Sequence, residues 1–248
     1  MGTALQQARR CLAIARKDMR IYYIKGPVII FGVLFPVFLF LSFAIGRQLS
    51  ADFMIPGLLG MILFFTATSV SPVVVPWEAQ ARTLERLMSC PVKIETIVAG
   101  DILASFAFGL VISPVPIILG LALGVTISGP VIFTLAVILA AFCFASLGTL
   151  FSVPPTNVPA TANMIAAAIR FPVVFISGIF IPLSELPAWA QGVAYISPLT
   201  YFTDIARRCI QGQAHLPVAV DFLVLLAFTL IFFTVAMRLH GRTMPKRI

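Results

Sequence analysis

The chain has 248 residues, of which 60% are hydrophobic and only 10% charged; its mean hydropathy of +1.06 and low charge set it apart from soluble domains, which carry roughly 25% charged residues. The net charge of +8 would suit nucleic acid, but the Lys and Arg residues flank apolar runs instead of forming one basic face, which argues against that partner. Long continuous apolar runs also argue against a β-barrel, whose strands would alternate over about ten residues, and leave no room for a soluble catalytic domain.

Residues 3–25 predict an amphipathic interfacial helix. Leu5, Ala8, Leu12, Ala15, Met19 and Tyr22 follow i, i+3, i+4 spacing and form one stripe, while Arg9, Arg10, Lys17 and Arg20 lie off it. Such a helix rests among lipid headgroups with its basic side toward anionic lipid. Two roles stay open for it, an apron that orients the first span or a mechanical part.

Six apolar runs follow, at 28–46, 54–76, 102–125, 131–153, 158–182 and 217–237. Each is close to the roughly 20 residues that cross a ~30 Å hydrocarbon core. The first sits behind a polar, basic stretch without a small-residue cleavage site, so it reads as a span and not as a signal peptide. Pro36, Pro56, Pro72, Pro114 and Pro116 fall inside the first three runs. Each removes a backbone donor, and neighbouring groups must satisfy the carbonyl left free.

Between runs two and three, residues 77–91 form a charged island that predicts one helix. Trp77, Ala81, Leu84, Leu87 and Met88 fall on an apolar arc, with Glu78, Arg82, Glu85 and Arg86 pointing away. Glu78–Arg82 and Arg82–Glu85 are spaced as helical ion pairs, and the Cys90–Pro91 step ends the helix. The arc would pack on the spans and the charges would face water or a partner.

The links at 126–130 and 154–157 are short. Residues 183–216 are longer and moderately apolar, and predict two short helices, at 187–195 and 198–211, each opening near a proline. Trp189, Tyr195 and Tyr201 suit an interfacial depth. Arg170 lies about 12 residues into the fifth run, or about 18 Å along a helix. It reads either as a pathway residue or as a side chain snorkelling to the headgroups. Asp204, Arg207 and Arg208 read as a capping group or as a candidate external gate.

Basic residues fix the expected orientation. Arg9, Arg10, Arg16, Lys17, Arg20 and Lys25 precede the first run, Arg82, Arg86 and Lys93 lie in the island, and Arg238, Arg242, Lys246 and Arg247 follow the last run. Only Arg47, Arg207 and Arg208 fall on the other side, so both termini and the island are expected in the cytoplasm. The four cysteines have no CxxC spacing and indicate neither a disulfide framework nor a zinc site. His215 and His240 are isolated and read as interfacial residues.

The island resembles the cytoplasmic motif of the type-2 ATP-binding-cassette permeases, in which a Glu-rich helix leads through a Thr-Leu-Glu core into a Ser-x-Pro turn. Here that motif is carried by Glu78, Thr83, Leu84, Glu85, Leu87, Met88, Ser89 and Pro91. The likeness continues in Ser177-Gly178-Ile179-Phe180-Ile181-Pro182-Leu183, in Leu186-Pro187-Ala188-Trp189, in Ser197-Pro198-Leu199-Thr200-Tyr201, and in Asp204 and Arg207. These resemble the family's end of span five and its two external re-entrant helices. The family usually carries Gly before the Thr-Leu pair, where this chain has Arg82.

The resemblance implies an all-α membrane fold. It has six spans, an N-terminal interfacial helix, a cytoplasmic coupling helix at 77–91, and external helices within 186–211. It also implies a permease working as a dimer, with a second copy or a paralogue, in the cytoplasmic membrane. A separate ATPase subunit would hold Mg-ATP and meet Glu78, Arg82, Thr83, Leu84, Glu85 and Arg86. No GxxxxGK[ST] occurs in the chain, so no P-loop cradles phosphates here and no cofactor is expected on this chain.

Together these readings point to the membrane subunit of an ATP-driven exporter for an amphipathic or lipid-like substrate. Sodium or polysaccharide export and a non-transporting scaffold for an ATPase stay open. An intramembrane enzyme would need paired acids, an HExxH or a Ser/His pair at membrane depth, and the sequence reading finds none.

Overall fold

The computed structural model describes residues 2–45, 50–154 and 156–247, and all regular structure among them is helical. Arg47, assigned above to the external side, and Pro155 lie outside the described residues. The chain opens with α1 (Gly2–Asp18), which continues through a π-helical turn at Met19–Tyr23. The first apolar run forms α2 (Gly26–Ile29), a π turn at Ile30–Leu34 and α3 (Phe35–Ala44). Next come α4 (Ala51–Ser69), α5 (Ser71–Gln80), α6 (Thr83–Met88), α7 (Ile94–Ile112), α8 (Pro114–Ala122), α9 (Pro130–Leu150) and α10 (Pro159–Ile176). The chain ends with a short 3-10 turn at Leu183–Glu185, α11 (Ala188–Ala194), α12 (Pro198–Gln211) and α13 (Val218–Thr243).

Five helical units are long and apolar enough to cross a membrane: Ala51–Gln80, Ile94–Ala122, Pro130–Leu150, Pro159–Ile176 and Val218–Thr243. The first run contributes a shorter apolar stretch, Ile30–Ser42. The unit Ala51–Gln80 is the centre of the bundle. Other helices cover 94% of its apolar window, against 22% for α10 and 17% for α13. It packs against α7, α9 and α12. Gly148 makes the α4–α9 approach feasible, because a Cβ there would lie 3.0 Å from the Ala67 carbonyl oxygen and the Thr68 Cα.

The prolines explain several polar contacts. A proline at position i leaves the carbonyl at i−4 without its helical donor. Pro56 frees the Asp52 carbonyl, which accepts from Gln211 Nε2 at 3.0 Å. Pro72 frees that of Thr68, which accepts from Arg170 Nη2 at 2.6 Å. Pro114 frees that of Leu110, which accepts from Ser113 Oγ at 3.0 Å. The Thr68 carbonyl is buried, where an unpaired acceptor is costly, so Arg170 fixes where α10 meets the central unit.

Candidate coupling face and membrane pocket

The charged island is not one helix. Residues 77–80 complete α5, which runs almost directly out of the central unit, and the chain reverses at Ala81–Arg82 before α6 begins. The reversal uses a left-handed residue, Arg82, with φ 54° and ψ 21°. Because α5 keeps the phase of the span, the wheel drawn across the whole island fails for its first part. Trp77 is 37% exposed whereas Glu78 is 3% exposed, the reverse of expectation. Beyond the turn the pattern is as expected: Leu84 is buried, and Arg82, Thr83, Glu85 and Arg86 are exposed. The Thr83 hydroxyl donates to the Glu78 carbonyl at 3.2 Å, tying the two short arms together.

The expected Glu78–Arg82 pair does not form. Glu78 instead receives an ion pair and hydrogen bond from Lys17 of α1, which also pairs with Asp18 at 2.9 Å. Burial pushes the Asp18 carboxyl up to about 6, with the Lys17 cation pulling it down and Glu78 pushing it further up. Burial alone would lower Lys17, but the carboxylates of Asp18 and Glu78 overcome it and hold the ammonium above its ordinary range.

Asp101 joins this group. The sequence reading placed it just outside a span, yet α7 begins at Ile94, so Asp101 lies about two turns inside and is 3% exposed. Neither of its carboxyl oxygens receives a hydrogen bond among the described residues. It lines, with Lys17, Asp18, Glu78, Thr149 and His240, an enclosed space of about 10 Å³, the room of about one water molecule. The Thr149 hydroxyl proton is committed to the Ala145 carbonyl at 3.0 Å. His240 is buried, with Nδ1 2.9 Å from the Ala236 carbonyl oxygen and Nε2 2.8 Å from Ser152 Oγ. Asp18, Glu78 and Asp101, from α1, α5 and α7, thus share one buried junction.

α1 is fastened along its length. Gln7 Oε1 accepts from Thr96 Oγ1 at 2.8 Å, Arg10 donates to the Pro91 carbonyl just past α6, and the Tyr23 hydroxyl meets Ser71 at 3.2 Å and also Ser105. At Gly100 a Cβ would lie 2.6 Å from Ile14 Cγ2 and 3.2 Å from the Cys11 carbonyl oxygen, so α1 rests directly on the α7 backbone. The buried face of α1 is therefore that of Ile14, Ala15 and Asp18, while Leu5 and Leu12 of the predicted stripe point outward, 59% and 63% exposed.

A second feature opens on the same half of the bundle. A cavity of about 510 Å³ lies between the first apolar run, the α4–α5 unit and α10. Phe35, Phe65 and Phe171 form its floor, edge to face in pairs with centroids 5.6 to 6.0 Å apart. The Arg170 guanidinium lies 5.8 Å over the Phe65 ring, is 7% exposed, and reaches inward to the Thr68 carbonyl instead of snorkelling.

At the opposite end, Asp204 and Arg207 are buried and Arg208 is exposed. Asp204 accepts from the backbone amides of His215, at 3.0 Å, and Leu216, at 2.9 Å. Arg207 Nη2 donates to the carbonyls of Gly178 and Ile179 at 2.8 and 3.1 Å, and its guanidinium lies 5.1 Å over the Phe53 ring. α12 is thereby stapled to the end of α10 and to the start of α13.

Residues 8–210 match the family described as ABC-2 type transporter. The chain belongs to that family. Among relatives, the inner membrane transport permease YadH of Escherichia coli K12 is 25% identical over 77% of this chain and 75% of its own length. The ABC transporter G family member 20 of Dictyostelium discoideum is 29% identical over 75% of this chain but only 26% of its own. The daunorubicin resistance permease protein DrrB1 of Streptomyces coeruleorubidus is 23% identical over 70% and 62%. In this ABC-2 chain the left-handed backbone at Arg82 gives a reason for the glycine that the motif usually has there: only glycine adopts that conformation without steric cost.

Proposed function

We propose that this chain is the membrane subunit of an ATP-driven exporter of amphipathic or lipid-like molecules. It works as a dimer, with a second copy or a paralogue, in the cytoplasmic membrane with both termini inside. A separate ATPase subunit, which holds Mg-ATP, docks on the exposed charges of α6. The observation that carries this reading is the construction of α6. Arg82, Glu85 and Arg86 face outward, Leu84 is buried beneath them, and the short helix hangs on α5, which runs into the buried centre of the bundle.

A push on α6 would pass through the Thr83–Glu78 bond to α5 and through Lys17 and Arg10 to α1. Glu78 thus transmits and Arg82, Glu85 and Arg86 receive, a division of roles among the expected coupling residues. Arg170 belongs to the pathway because it lines the large apolar cavity on the same half of the bundle. Asp204 and Arg207 act at the external gate by holding α12 as one rigid lid, with Arg208 on its outer surface.

The test is a double charge reversal, Glu85→Arg with Arg86→Glu, in proteoliposomes that also contain the ATPase. Membrane insertion and thermal stability should stay close to wild type, as expected of exposed positions, while transport per ATP hydrolysed falls at least about tenfold. Unchanged coupling would remove α6 as the docking helix.

A further inference from the structure

We infer that the cavity lined by Arg170 selects amphiphiles with an anionic head, a phosphate or carboxylate on an apolar tail, taken from the surrounding leaflet. This deepens the exporter reading above and rests on it.

Three observations support the inference. First, Arg170 is a buried cation in a membrane-crossing helix, and among the described residues it has no carboxylate partner. One of its nitrogens is committed to the carbonyl freed by Pro72, and Nε is buried without a hydrogen-bond partner among the described residues. A desolvated guanidinium so placed is costly to keep, and a bound anion would offset that cost with charge-assisted, forked hydrogen bonds. Second, no Asp or Glu lines the cavity, so nothing competes for the guanidinium and nothing attracts an amine. Its other polar side chains are Ser69, Asn163 and the Trp77 indole, all neutral.

Third, the cavity has an antechamber. A neighbouring space of about 380 Å³ shares Val28 and Trp77 with it and carries Lys25 beside Ile21 and Tyr22. An anionic head could therefore enter beside Lys25, at the start of the first apolar run, and pass Trp77 to Arg170, with no Asp or Glu among the described residues lining either space. The tail would lie on Phe31, Phe35 and Phe171. The volumes are those of a ligand pocket, and the polarity is opposite to what a cationic drug requires.

Trp77 supplies the readout, since it lines both spaces and the other tryptophan, Trp189, can be replaced by Phe. Purified full-length Trp189→Phe protein is reconstituted in phosphatidylcholine vesicles, and brominated probes that quench indole fluorescence on contact are titrated in. The probes are brominated phosphatidic acid, brominated stearic acid, its methyl ester, and brominated phosphatidylcholine. Trp77 should be quenched by one or both anionic probes at about tenfold lower concentration than by the ester or phosphatidylcholine. Which anionic probe is preferred distinguishes a lipid from a free acid.

Arg170→Gln keeps an N–H that can reach the Thr68 carbonyl but removes the charge, and should abolish the preference; Arg170→Lys should keep part of it. Equal quenching by all heads, a preference that survives Arg170→Gln, or no quenching by any probe because a second copy covers the face would each overturn the inference. The wild-type comparison of heads stands even if the variants fail to fold. Binding needs no ATPase. A head-group preference without transport would sink only the exporter reading, and transport without a head-group preference only this one.

Discussion

Arg82 is, among the described residues, the non-glycine with positive φ, at a cost of about 1–2 kcal/mol for an L-residue with a Cβ. The turn needs that conformation because α5 must reverse into α6 within Ala81–Arg82 while Leu84 reaches the hydrophobic cluster containing Ile14, Val75 and Ile97. In the docking proposed above, the exposed Arg82 side chain meets the ATPase, which gives the strained turn a use beyond this chain. Arg82→Gly should raise the thermal midpoint of the detergent-solubilised protein, by an amount equivalent to about 1 kcal/mol after glycine's own entropic cost. It should also lower transport per ATP. A glycine variant no more stable than wild type would show that the turn is unstrained.

The free carbonyls show what residues alone reveal. That Pro56, Pro72 and Pro114 each leave one carbonyl unpaired follows from the residue type. That Gln211, Arg170 and Ser113 supply the donors does not, because two of the three come from helices more than a hundred residues away in sequence. Arg170 was legible as a candidate because a charge in an apolar run is conspicuous. Its direction was not, since snorkelling and burial fit the same sequence.

At the scale of elements, α1 decides how the coupling region holds together. Its one-sided pattern was readable, but which face meets protein depended on where α7 lies. Glu78 gave no sign of burial because its partner Lys17 sits 61 residues earlier. Asp101 was missed because the apolar run was drawn from residue 102, whereas α7 starts two turns before.

The junction is sensitive to pH through Asp18. Its folded carboxyl titrates near 6 against an ordinary value of 3.8. The group therefore favours the fold fully below about pH 4, and the advantage is lost as pH rises through 6, a change of up to about 3 kcal/mol. The thermal midpoint in detergent should fall between pH 4 and pH 7, and Asp18→Asn should flatten that fall. A variant with the same slope as wild type would exclude Asp18 as its source.

For the whole molecule, the all-helical membrane fold was legible from the length of the apolar runs alone, because in lipid every backbone polar group must be paired internally. The order of burial was not. Apolarity does not track burial: among these five units α13 is the most apolar and α10 the least, yet both are peripheral while the α4–α5 unit is enclosed. That arrangement places the Ala81–Arg82 turn at the end of the bundle's central unit, and the Arg170 cavity beside it, against the peripheral α10.

Whether an ATPase docks on α6 is read most directly by photo-crosslinking in native membranes, with a benzophenone amino acid placed at Arg86 on α6 or, for comparison, at Gln213 beyond α12. A covalent adduct should form between position 86 and a cassette ATPase, with a yield that changes when ATP is added, and none from position 213. An ATPase adduct from position 213, or none from position 86 in membranes that transport, would contradict that docking.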